Sequence, residues 1–125
     1  MYRYNAKVTR VVDGDTIDAD IDLGFDITIK KRIRLAEIDA PESRTRNLAE
    51  KKAGLASKER LKELLEQAAN VFELESTELG KYGRVLGKLH ISKLDGRNRE
   101  SITQVCINDI LVQEGYAERY DGGKR

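Results

Sequence analysis

Three short stretches of this 125-residue chain place charged and polar side chains where strands end and loops begin. They are Asp13-Gly14-Asp15-Thr16, the run from Arg34 through Ala36-Glu37 and Asp39-Ala40-Pro41 to Glu42, and Lys81-Tyr82-Gly83-Arg84. Hard divalent cations such as Ca²⁺ take mixtures of carboxylate, carbonyl and water oxygens. Asp15, Asp39 and Glu42 offer such carboxylates, the last two beside a backbone constrained by the only proline, Pro41. Each has a plainer reading as well: Asp13-Gly14 is a hairpin-turn signal, and Asp39 and Glu42 read as solvated loop acids. Arg34 and Arg84 carry the planar fork that grips a phosphate with two bonds, although arginines on strands and after turns are common at surfaces. Arg34 and Asp39 stand at odd spacing, so a regular strand would turn them to opposite faces. A bulge or strong twist near Ala36-Glu37 is needed to bring both to one site.

The elements that must position these groups are mostly strands. Lys7 to Val12 reads as a first strand, and Ile17, Ala19, Ile21 and Leu23 alternate with Asp18, Asp20 and Asp22 as a second strand with one wet face. After a turn at Gly24, Ile27, Ile29, Ile33, Leu35 and Ile38 mark a third, with a bend expected near Lys30-Lys31-Arg32. Ser43 to Lys52 carries charge of both signs and little apolar content, and reads as an exposed loop. From Ala53 to Ala68 apolar residues recur at helical steps. Val71, Phe72 and Leu74 suggest a fourth strand, and Val85 to Leu94 a fifth that turns at Asp95-Gly96 and continues through Ile102. A second helix, about Cys106 to Glu114, stops at Gly115. Five strands with a helix after the third, and no regular strand-helix alternation, point to a mainly β (α+β) fold, a five-stranded OB-type barrel with two attached helices. Residues 1–125 fit one domain, with Asp121 to Arg125 a frayed tail.

Composition narrows the chemistry. Twenty-three basic residues stand against 22 acidic ones, and the net charge of +1 gives no global pull on a polyanion, so any nucleic-acid contact is local. One cysteine, Cys106, and one histidine, His90, exclude an internal disulfide and cysteine-rich or histidine-rich metal sites, which leaves oxygen ligands. His90 lies in an apolar strand and Cys106 on the apolar face of the second helix, both as structural residues. No apolar run is long enough to span a bilayer, and Met1 to Asn5 lacks the apolar centre of a signal peptide. The expectation is an intracellular monomer without a membrane partner, the alternative being an exported protein trimmed from a precursor.

In order and separation, the three stretches resemble the signature of the staphylococcal-nuclease (thermonuclease) family, and the resemblance covers nearly the whole chain. It implies an OB-barrel nuclease in which Asp15 and Asp39 ligate Ca²⁺ and Ala40, where the family often has threonine, contributes its carbonyl. It further implies that Glu42 is the general base, that Arg34 and Arg84 hold the phosphate, and that Lys81 and Tyr82 lie in the nucleotide pocket. A family tyrosine just after the second helix corresponds to Tyr116 or Tyr120. The implied substrates are DNA and RNA, cut to 3′-phosphate and 5′-hydroxyl ends.

The residue types agree with that chemistry, because attack on a phosphodiester builds negative charge that a cation and two arginines stabilise. Tyr82, Tyr116 and Tyr120 can offer ring faces to bases, or serve as half-buried tyrosines of a small core. The competing reading is an OB-type module that binds nucleic acid or protein without catalysis. Pure binding has no need of Arg34, Glu42 and Arg84 together with Asp15 and Asp39.

Overall fold

The computed structural model describes residues 2–79, 85–95 and 98–120. Its strands are β1 (Tyr2–Asp13), β2 (Thr16–Gly24), β3 (Ile27–Leu35), β4 (Ile38–Asp39), β5 (Val71–Leu79), β6 (Val85–Asp95), β7 (Asn98–Cys106) and β8 (Glu118–Arg119), with helices α1 (Leu48–Gln67) and α2 (Ile107–Gln113). The main sheet runs β3-β2-β1-β5-β6-β7. It closes because β3 also pairs in parallel with β6, through Ile33 with Val85, Arg34 with Leu86 and Leu35 with Gly87. The result is a closed five-stranded barrel of OB type, mainly β with two helices. β7 extends it as an outer strand, and β4 pairs only with β8.

Period-2 alternation sets the core. Ile17, Ala19 and Ile21 of β2 are buried, as are Ile33 and Leu35 of β3, while Asp18, Asp20 and Asp22 take the other face. Leu61, Leu64 and Leu65 of α1, with Ile107 and Leu111 of α2, join the same cluster. The β2–β3 hairpin runs beyond the core, so Leu23, Phe25 and Ile27 are exposed although their spacing matches a buried face. Among the described residues no helix is long and apolar enough to cross a membrane.

Several boundaries differ from the sequence pattern. The register through Lys30, Lys31 and Arg32 is unbroken, and β3 ends instead at Leu35, where Glu37 adopts a φ of 64°. The stretch from Ser43 to Lys52 is not all loop, since α1 starts at Leu48. The Asn47 side chain accepts a bond from the Glu50 N–H at 3.1 Å, and this cap starts a helix whose first turn buries almost nothing. The continuation of the fifth strand is a separate antiparallel strand, β7, with Ile91 opposite Val105. Cys106 ends β7 and caps α2, rather than lying on the helix's apolar face. His90 is largely buried on β6, 3.4 Å from Glu75, in keeping with a structural place. The tail Asp121 to Arg125 lies outside the described residues.

Candidate functional site

An open cleft of about 510 Å³ lies where the β1–β2 turn, the end of β3, the segment after β4 and the exit of α2 meet. Arg34, Asp15, Asp39, Ala40, Glu42 and Tyr116 all line it. Arg34 Nη2 stands 3.4 Å from an Asp15 oxygen and 3.3 Å from an Asp39 oxygen. The left-handed turn at Glu37 removes the parity conflict between Arg34 and Asp39, because it interrupts the regular alternation between β3 and β4.

That turn is built from several directions. The Ala36 N–H donates to the Gly87 carbonyl at 2.8 Å, and the Tyr120 N–H to the Glu37 carbonyl at 2.8 Å. Asn108 of α2, 1% exposed, donates from Nδ2 to the carbonyls of Ala36 (2.9 Å) and Gly87 (3.2 Å), and its Oδ1 accepts the Leu89 N–H at 3.1 Å. A buried amide so fully bonded fixes its neighbours. Glu37 also bonds Lys88 at 3.2 Å, and that bond holds the Lys88 ammonium above its ordinary pKa against the opposing effect of burial.

Asp15 is 8% exposed, and the burial is compensated. One of its oxygens accepts the Ala40 N–H and the other the Thr16 hydroxyl, both at 2.9 Å. Asp13 accepts from both the N–H and the hydroxyl of Ser43, which ties the β1–β2 turn to the segment carrying Glu42. α1 supports that segment through Gly54, where a Cβ would overlap the Glu42 carbonyl. Gly14 likewise makes room for Ser57, whose hydroxyl donates to the Tyr116 carbonyl at 2.7 Å. These supporting residues carry only weak sequence signals: a glycine within a helix, and an asparagine among apolar helix positions.

Of the two candidate tyrosines, Tyr116 lines the cleft. Tyr120 is half-buried, and its backbone serves the Glu37 turn. Lys81, Tyr82 and Arg84 lie outside the described residues. Asp13, which the sequence marks only as part of a turn, and Glu50 and Glu118, which no motif marks, also line the cleft.

Among the described lining residues, six carboxylates face one guanidinium. No three Asp, Glu, His or Cys side chains of the described residues converge tightly enough to hold a metal by themselves. Two converge on one point, Asp15 and Asp39, and a positive group already touches both in the form of Arg34. A carboxylate pair with neutral oxygen donors nearby fits a hard divalent cation.

The chain is 36% identical over 118 residues to a protein from Shigella flexneri named micrococcal nuclease, across 94% of this chain and 59% of that protein. The chain thus spans about three fifths of that relative's length. The family model described as staphylococcal nuclease homologue matches residues 32–124, from the end of β3 through both helices. With that match over most of its length, and the relative beside it, the chain belongs to the staphylococcal nuclease homologue family.

Proposed function

We propose that this protein is a calcium-dependent nuclease that hydrolyses phosphodiester bonds of DNA and RNA at the Arg34 cleft, leaving 3′-phosphate and 5′-hydroxyl ends. The observation that carries the reading is the convergence of Arg34 with Asp15 and Asp39 in a cleft also lined by Glu42. Asp15, Asp39 and the Ala40 carbonyl are the oxygens assigned to Ca²⁺. When bound, the ion would supply positive charge against the phosphate and the charge that develops on it.

The chain's own residues divide the remaining work. Arg34 binds a non-bridging phosphate oxygen, its orientation fixed by the two acids beside it and by a 3.0 Å bond from Nη1 to the Leu35 carbonyl. Glu42, exposed on the cleft wall, takes the proton of the attacking water. Arg84 is assigned to the leaving 5′ oxygen, and Lys81 and Tyr82 to the nucleotide, from family resemblance. Tyr116 offers a further surface to the nucleotide on the cleft's other side, beside the α2 exit.

A binding module without catalysis agrees less well with the cleft, because six carboxylates repel a polyanion unless a cation is recruited. The test is incubation of the purified chain with plasmid and single-stranded DNA in Ca²⁺, then in excess chelator. Cleavage in calcium that stops in chelator is expected. Undiminished cleavage with calcium verified absent overturns the metal assignment, and no cleavage under either condition overturns the enzyme.

A further inference from the structure

We infer that one flank of α1, carrying Lys51, Lys58 and Lys62, is a track for a polynucleotide backbone leading away from the cleft. This rests on the nuclease reading and extends it to how a long substrate is held. At 100° per residue these three lysines fall within one narrow sector of the helix, beside the buried line of Gly54, Ser57 and Leu61. The sector is distinct from that of Arg60, which pairs with Glu63 and Glu114.

The lysines of the stripe are available to an external anion. Arg3, Arg32, Arg34, Lys88 and Arg119 each stand within 4 Å of a carboxylate. Lys51, Lys58 and Lys62 have no such partner among the described residues, a property they share with Lys7, Arg10, Lys30 and Lys31 on the barrel, so it is their alignment on one helix flank next to the cleft that singles them out. Lys58 and Lys62 are one helical turn apart, with Glu59 three residues before Lys62 and Glu66 four residues after it. At 1.5 Å per residue the stripe spans ~17 Å, a length over which a duplex carries on the order of ten phosphate charges.

Charge complementarity commits the stripe to a polyanion, and its position commits it to the substrate. It begins one residue from Glu50, a cleft-lining residue, and Arg44 and Arg46 lie exposed between Glu42 and the helix. An acidic cleft can bring a single phosphate to its bound cation but cannot hold the rest of a polymer. Lysines beyond its rim, Lys51 and Lys62 exposed and Lys58 partly so, can, with an affinity that weakens steeply with salt.

The experiment compares the parent chain with the triple variant Lys51→Gln, Lys58→Gln, Lys62→Gln. Binding of a fluorescent single-stranded 20-mer is followed by anisotropy in chelator from 50 to 200 mM salt, and cleavage of the 20-mer and of a dinucleotide is followed in calcium. Three lost phosphate contacts should lower the magnitude of the logarithmic salt slope by about 2, so that the parent's binding advantage shrinks roughly 15-fold across that range. Dinucleotide cleavage should be unchanged, and the corresponding triple arginine variant should bind as the parent does. Equal slopes in parent and variant overturn the track, as does equal loss of dinucleotide and polymer cleavage. If neither chain cleaves, the nuclease reading fails while the anisotropy slopes still decide the track. Tighter binding of the parent to phosphatidylserine vesicles than to the 20-mer, lost in the variant, would assign the stripe to a lipid surface and overturn it too.

Discussion

Glu42 and Arg34 line the same cleft, and their proposed roles separate under single substitutions. A general base acts only as the proton leaves water, so Glu42→Gln should lower kcat by a factor on the order of 10²–10⁴ with KM little changed. A calcium titration of the variant checks the alternative, since a carboxylate that mainly holds the ion would be rescued by mass action at high calcium. A saturated variant that stays slow supports the base. Arg34→Lys keeps the charge and loses the fork, and a lost charge-assisted bond predicts a fall in kcat/KM of roughly 10- to 100-fold in a protein that melts near the parent's temperature. Steady-state kinetics beside a melting curve measure both halves of that expectation. The assignment of Asp15 draws on its place as much as its type. Its carboxylate is held by Ala40 and Thr16 before any ligand arrives, which lowers the ordering cost at binding.

Elements were legible where one periodicity ruled and illegible where local bonding did. The alternation in β2 and the apolar steps of α1 at Leu61, Leu64 and Leu65 could be read directly, because burial on one face imposes them, whereas Ala53 and Ala56, also read as apolar steps, are exposed and Gly54 and Ser57 take the buried positions. The start of α1 could not, because Asn47 begins it by capping and the first turn contributes little to the core. The Arg34–Asp39 pairing was legible only as a condition, that something must break the strand near Glu37. What breaks it is a left-handed residue held by Asn108, Lys88 and the Tyr120 backbone, all distant in sequence. The end of α1 gives a stability test. Ala69 and Asn70 both adopt left-handed φ, 56° and 63°, where helices commonly place glycine. Ala69→Gly relieves the Cβ penalty and should raise the stability by ~0.5–1 kcal/mol, measured by urea unfolding. A lowered midpoint would show that the loss of side-chain contact outweighs the relief.

For the whole molecule, charge is nearly balanced in sum and uneven in place, with acids gathered in the cleft and lysines along α1. One pair on the barrel wall gives a pH signature. A side-chain bond from Arg32, outweighing burial, lowers the Asp18 pKa below 3.8. A depressed acid contributes stability above its unfolded pKa and loses it as pH falls through the folded value. Asp18→Asn should therefore melt slightly below the parent at pH 7, and the gap should close on acidification below pH 3.8; a gap constant with pH would assign the loss to packing. The parallel pairing that closes the barrel joins residues 33–35 to residues 85–87, and its central pair contains Arg34 itself. Such a distant seam is costly in loop entropy and tends to form late in folding. Catalysis is thus a clock for the seam: during refolding from urea, cleavage of a fluorogenic substrate should return together with exchange protection at the β3–β6 amides, and after the β1–β2 hairpin has formed.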